Sequence, residues 1–219
     1  MIDTVIFDFD GTLANTNQMI INSFRHIYNV FHEKECDEKY VLSTFGETLA
    51  ATLTRDFGEF NFEDVIACYR DYQKDRFNDE VTLYETVEET LEYLKNKNIK
   101  MGIATSRLRN STVSALEKFN VAKYFDVIIS ADDVEKHKPD KEPLIKAINA
   151  LNSTPDKTLY VGDSRFDMEC AANAEVIPIL AGWQHGAAEL AEKYNIKYVL
   201  NKMWDLTEVV QTYLKSSEI

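Results

Sequence analysis

The chain has 219 residues, 45% of them hydrophobic and 28% charged, which suits a globular protein with room for one large domain or a core domain carrying a smaller insert. Its formal net charge of -13 disfavours a nucleic-acid partner held by phosphate contacts. No apolar run reaches membrane-spanning length, Asp3 interrupts any leader-like opening, and Cys36, Cys68 and Cys170 show no paired spacing, so a cytoplasmic protein without a disulfide framework or a membrane contact is expected.

The first element is a short apolar run, Val5 to Phe7, β-branched and aromatic and too short for a helix. It discharges into Asp8-Phe9-Asp10-Gly11-Thr12-Leu13. Two carboxylates fixed near each other at the end of a buried strand are unfavourable unless a cation sits there or one group holds a proton. By itself Asp-x-Asp also reads as an acidic turn. From Asn15 to Val81 only helical patterns follow, with Met19, Ile20, Ser23, Phe24 and Ile27 along one face. About 65 residues is too long for a loop, so this stretch is expected to be an inserted helical cap.

Beyond it, Val87, Leu91 and Leu94 make one helical stripe, and strand-like runs recur at Ile99 to Ala104, Phe125 to Ser130, Thr158 to Gly162, Val176 to Leu180 and Lys197 to Leu200. Strands alternating with helices predict an α/β fold, a doubly wound parallel sheet with helices on both faces. Residues 1–14 and 82–219 are expected to form this core and 15–81 the cap. Ligands of such sheets bind beyond the carboxyl ends of the strands.

Four segments fall just after predicted strands: Asp8 to Thr12, Thr105-Ser106, Lys138-Pro139, and Gly162-Asp163-Ser164-Arg165-Phe166-Asp167. Each alone has an ordinary structural account, as a turn or a helix N-cap. Together, in this order and at one end of one sheet, they resemble the four motifs of the haloacid dehalogenase superfamily, specifically its phosphatase members with a small helical cap. The resemblance spans nearly the whole chain and implies a Rossmann-like core. It makes Asp8 a nucleophile that forms an aspartyl-phosphate and also ligates metal. Asp10 would offer its backbone carbonyl to the metal and its side chain as acid and base. Asp163 would complete the metal site, with Asp167 a ligand through water or an orienting partner. Thr105 and the amides near Ser106 would hold the phosphoryl oxygens, Lys138 would pair with the phosphoryl group and Asp8, and Arg107 would bind substrate. A carboxylate attacking a phosphate ester needs a cation to neutralise both, and carboxylates with retained water suit Mg²⁺.

Retention of Asp10 favours phosphoryl transfer over dehalogenation, since a halide leaves without a proton. A phosphatase acting on a small, phosphoglycolate-like metabolite is the expected activity. A sugar-phosphate mutase and an inorganic pyrophosphatase remain open beside it, as do monomer and homodimer, while Asp10, Thr105, Lys138 and Asp163 together argue against a non-catalytic phosphate-sensing module. Phe45-Gly46-Glu47-Thr48-Leu49 resembles a cap segment of phosphoglycolate phosphatases and pyrophosphatases, and reads equally as a turn before a helix. Arg25, His26 and Arg55 fit a solvated helix face, Arg109 lies near the second motif, and Trp183 and His185 follow the fifth of these strand-like runs. No spacing among His26, His32, His137 and His185 suggests a metal site, and Cys170 reads as helix packing. Two departures stand out: Tyr84-Glu85-Thr86 replaces a usual Pro-Gly pair, and Glu175 replaces a usual glycine.

Overall fold

The structure, a computed structural model, describes residues 1–74, 76–184 and 186–215. His185 lies outside the described residues. The strand β1 (Thr4–Phe7) is buried along its whole length. It leads through β2 (Ala14–Asn15) into α1 (Asn17–Ile27) and a π-helical turn at Tyr28–His32. Then follow α2 (Glu38–Ser43), α3 (Leu49–Phe57), α4 (Phe62–Lys74), α5 (Phe77–Glu80) and β3 (Thr82–Leu83). The remainder alternates: α6 (Val87–Asn96), β4 (Lys100–Ala104), α7 (Arg109–Lys118), β5 (Val127–Ile129), α8 (Glu142–Ala150), β6 (Thr158–Gly162) and α9 (Arg165–Asn173). It ends with β7 (Ile177–Ala181), α10 (Ala187–Lys193), β8 (Tyr198–Leu200) and α11 (Leu206–Lys215). Among the described residues no helix is long and apolar enough to cross a membrane.

Six strands form one parallel sheet in the order β5-β4-β1-β6-β7-β8. Alternation of side chains along the strands decides which helices cover which face. Val5, Phe7, Met101, Ile103, Leu159 and Val161 face a cluster with Leu91 and Leu94 of α6, Leu116 of α7 and Val210 of α11. Ile6 and Tyr160 point the other way, against Leu144 and Ile148 of α8 and Cys170 and Ala171 of α9. The expected doubly wound sheet is therefore present, and Cys170 packs α9 to it as anticipated. Because β1 lies at the centre, its carboxyl end opens where the strand order reverses direction, between β4 and β6.

Helices α1 to α4 bury a separate apolar cluster built on Phe24, Ile27, Leu53, Phe57, Val65 and Ile66. One feature was not legible in the sequence: β2 and β3 pair antiparallel, Ala14 with Leu83 and Asn15 with Thr82. Two residues per strand are too few to show a period, so the ribbon was invisible to pattern. It brings together the two points where the helical segment leaves and rejoins the core.

Five core helices end alike. Asn98, Asn120, Asn152, Glu175 and Asn195 each sit two residues past α6, α7, α8, α9 and α10 with φ between 50 and 58°. The amide after each one bonds back five residues, for example Ile99 N to Leu94 O (3.0 Å) and Val176 N to Ala171 O (2.9 Å). This is the left-handed helix stop, and asparagine is a tolerated substitute for glycine there.

Candidate active site

Asp8 follows β1 directly, its amide still donating to Val161 O of β6 at 2.9 Å. The chain then reverses at Gly11, where φ is +72° and a Cβ would stand 2.2 Å from Asp163 Oδ2. Only glycine permits both the left-handed turn and that approach. The turn is held from outside by the loop after β7, since Trp183 Nε1 (2.9 Å) and Gln184 Nε2 (2.6 Å) both donate to the Gly11 carbonyl. Trp183 therefore borders the site as a brace.

Asp163 and Asp167 come from the start of α9. Ser164 caps that helix, and Asp167 Oδ2 accepts from Ser164 N (3.0 Å), Ser164 Oγ (2.6 Å) and Asp163 N (3.2 Å). Its other oxygen accepts from Lys138 Nζ (2.6 Å) and the Tyr160 hydroxyl (2.7 Å). Asp167 is thus saturated with donors and acts on its neighbours by orientation. Lys138 Nζ also lies 3.1 Å from Asp8 Oδ1. That contact has ion-pair distance without hydrogen-bond alignment, so Asp8 Oδ1 is left buried with no hydrogen-bond donor. Thr12 Oγ1 donates to Asp163 Oδ1 at 3.1 Å.

Burial and charge crowding set the protonation pattern. Removal from water pushes the Asp8 carboxyl up to about 7, with Lys138 opposing and Asp167 and Asp10 reinforcing the rise. Asp163 is pushed well above the carboxylate range by burial, then by Asp167 and Asp8. For Asp167 burial acts in the same direction, but Lys138, Ser164 and Tyr160 outweigh it and hold the group low. Lys138 itself is raised, because Asp167 and Asp8 overcome its desolvation. The cluster is short of positive charge.

Asp8, Asp163 and Asp167 each offer a carboxylate oxygen within 4.8 Å of the others. An all-oxygen donor set, an orphaned buried Asp8 oxygen and two carboxyls raised by burial fit a hard divalent cation. The Asp10 side chain stands apart from this group. Arg107 Nη1 reaches both its oxygens, at 2.9 and 3.2 Å, and the guanidinium lies 5.3 Å from the Phe9 ring centre and 5.8 Å from that of Phe77. The sequence resemblance assigned Arg107 to substrate binding, and the structure pairs it with Asp10.

Asp8, Asp10, Asp163, Thr105, Ser106 and Arg107 line one cavity of about 970 Å³ between the sheet end and helices α1, α3, α4 and α5. Lys138 and Asp167 lie behind this lining and are screened by the carboxylates. Thr105 is buried and accepts from Arg107 N at 3.3 Å. Ser106 Oγ instead donates to Gly46 O at 2.6 Å, across to the helical segment. Phe45 to Leu49 serve both readings of that stretch: Thr48 caps α3, and all five line the cavity. The other candidates are elsewhere. Arg25 pairs with Glu38, Arg55 with Glu47 and Asp56, His26 stacks on Tyr72, and Arg109 binds Asp133.

The haloacid dehalogenase-like hydrolase family model matches residues 5–181. The pyrophosphatase PpaX of Bacillus mycoides is 37% identical over 209 residues, covering 95% of this chain and 97% of that protein. A crystal structure from Lactobacillus plantarum, assigned as a phosphoglycolate phosphatase, superimposes with a TM-score of 0.83 at 28% identity over 95% of this chain and 99% of its own. A Thermotoga maritima chain assigned as a β-phosphoglucomutase shares the fold, with a TM-score of 0.78 at 23% identity over 96% of this chain and 99% of its own. The motif order, the parallel sheet and the match over most of the length agree: the chain belongs to the haloacid dehalogenase-like hydrolases and is an enzyme of their phosphatase type.

Proposed function

We propose that this enzyme hydrolyses a small phosphorylated metabolite through an aspartyl-phosphate on Asp8, with Mg²⁺ as its metal and the helical segment 15–81 as a cap domain over the site. The observation that carries the proposal is the buried Asp8 carboxylate, set between Lys138 and Asp163 and opening onto the cavity that Asp10 also lines. An Asp8 oxygen attacks phosphorus while the bond to the leaving oxygen breaks, and Asp10 gives that oxygen its proton. Asp10 then takes a proton from water as the water oxygen attacks the aspartyl-phosphate, releasing phosphate and restoring Asp8. Thr105 and the amides near Ser106 would donate to the phosphoryl oxygens, and Lys138, 3.1 Å from Asp8, would fix its charge and direction. Asp8, Asp163 and the Asp10 carbonyl would hold the cation, backed by Asp167, and it would supply neutralisation of the phosphoryl charge.

Pyrophosphate hydrolysis is a second reading, favoured by the 37% identity to a pyrophosphatase over nearly the whole chain. The test is phosphate release with Mg²⁺ over phosphoglycolate, pyrophosphate, sugar phosphates and nucleotides, alongside Asp8→Asn. Turnover by the native enzyme and near-background release by a folded Asp8→Asn variant is the expected result. Equal release by both would overturn the role of Asp8, and conversion of a sugar 1-phosphate to its 6-phosphate without free phosphate would make the enzyme a mutase.

A further inference from the structure

The cavity is much larger than the reaction at Asp8 requires. At about 970 Å³ it lies at the upper end of the range for organic ligands, roughly 300–1,000 Å³, whereas pyrophosphate and phosphoglycolate are only a few heavy atoms across. The helical segment touches the core beside it. Ser106 Oγ reaches Gly46 O at 2.6 Å, and Arg165 stands 3.9 Å from Glu47.

Its wall beyond the carboxylates is largely apolar. Phe45, Leu49, Phe62 and Phe77 are only partly covered by the protein and present surface to the cavity, beside the more deeply set Ile66 and Tyr69. Phe45, Leu49 and Phe62 also pack against the core of the helical segment, which includes Phe57, Leu53 and Val65. Two of the cations on the wall are committed elsewhere. Arg107 is taken by Asp10, and Lys118 Nζ donates to the carbonyls of Phe77 (2.9 Å), Asn78 (3.1 Å) and Val81 (3.3 Å). Arg70 and Lys74, exposed residues of α4, also line the cavity.

We infer that the leaving group carries a sizeable apolar or aromatic body, so that the substrate is a phosphate monoester of an apolar alcohol and not an inorganic anhydride or a two-carbon acid. This rests on the phosphatase reading above and narrows it. A phosphoryl group at Asp8 would leave the ester oxygen pointing at Asp10, and the attached carbon body would displace water from the apolar wall. That displacement is favourable in proportion to the area covered, about threefold to fourfold in affinity per fully buried methylene.

The experiment is a series of n-alkyl phosphates from ethyl to octyl, assayed for phosphate release with Mg²⁺ beside pyrophosphate and phosphoglycolate. These alcohols differ little in acidity, so a trend in kcat/KM reports burial and not leaving-group chemistry. A rise of about threefold per methylene until the cavity is full is expected. Leu49→Asn and Phe62→Ser should flatten the slope for long chains while ethyl phosphate moves far less. A flat or falling series, or a kcat/KM for pyrophosphate or phosphoglycolate above that for hexyl phosphate, overturns the inference and leaves the phosphatase standing. No release from any compound, with Asp8→Asn indistinguishable from native, removes the phosphatase reading itself.

Discussion

At the scale of single residues, the site is governed by which carboxylate has which partner. Lys138 is the buried cation shared by Asp8 and Asp167, and removing it strands both charges away from water. Lys138→Met is expected to cost about 3–5 kcal/mol of stability, read by chemical denaturation, because breaking a buried pair leaves an uncompensated ion. A loss below 1 kcal/mol, on the order of a surface pair, would contradict that burial. Asp10 has a different environment, held by Arg107, and its expected work is proton transfer to the leaving oxygen. Asp10→Asn should slow alkyl phosphates by several orders of magnitude and nitrophenyl phosphate much less, since a good leaving group needs no acid. An equal loss on both would refute the assignment. Away from the site, burial works against ionisation of Asp133, but Arg109 and Ser130 outweigh it and hold the carboxyl below its ordinary value. A carboxyl depressed in the fold contributes stability above its unfolded pKa, near 4, and loses it as pH falls through the folded value. Asp133→Asn should therefore lower the melting temperature at pH 7, with the gap to native closing below about pH 4. A gap that persisted at pH 2 would show that shape, not charge, sets its contribution.

At the scale of elements, the helix stops give a sharp comparison. Four of the five left-handed positions after the core helices carry asparagine, and α9 alone among them ends on glutamate, Glu175 at φ +58°. A non-glycine residue there costs roughly 1–2 kcal/mol, less for asparagine, whose short side chain tolerates the conformation. Glu175 is exposed, so Glu175→Gly is expected to raise stability by about 0.5–1 kcal/mol net of the added freedom of the unfolded chain. Thr86, at φ +63°, lies in the segment that replaces a usual Pro-Gly pair, but its Oγ1 accepts from Trp204 N at 3.0 Å. Thr86→Gly relieves strain and loses that bond, so its gain should be smaller than that of Glu175→Gly in the same thermal scan. The reverse order would mean that the Trp204 contact contributes little.

At the scale of the whole molecule, two linkers and the ribbon of β2 and β3 connect the core to the helical segment. The ribbon of β2 and β3 and the Lys118 contacts hold the base of the helical segment, while Ser106 and Arg165 meet its Gly46 and Glu47. Binding of a divalent cation at Asp8 and Asp163 would favour the folded state by RT ln(1 + [L]/Kd), about 2.7 kcal/mol at a hundredfold excess over Kd. Mg²⁺ should thus raise the melting temperature of the native enzyme, and a chelator should lower it and abolish turnover. Asp163→Asn should lose most of the Mg²⁺-induced shift. An identical melting temperature with Mg²⁺ and with excess chelator would remove the metal from this site.

Much of this was determined by the sequence alone. Apolar runs of strand length separated by helical stripes dictated the parallel sheet, because burial on both faces needs continuous apolar side chains and helices to cover them. The aspartates at strand ends were equally plain, since a carboxylate straight after a buried run is a local pattern. The tertiary structure decided the partners. Asp10 and Arg107 are 97 positions apart, and Thr12 and Asp163 are 151 apart, so only the packing of β1 beside β4 and β6 makes them neighbours. The shape and chemistry of the cavity were decided at the same level, because its apolar wall is assembled from the loop before α3, from α4 and α5, and from the core. Hydrophobic periodicity tells which side chains leave water. Which of them stay half-covered to meet a ligand depends on how one folded segment is laid across another.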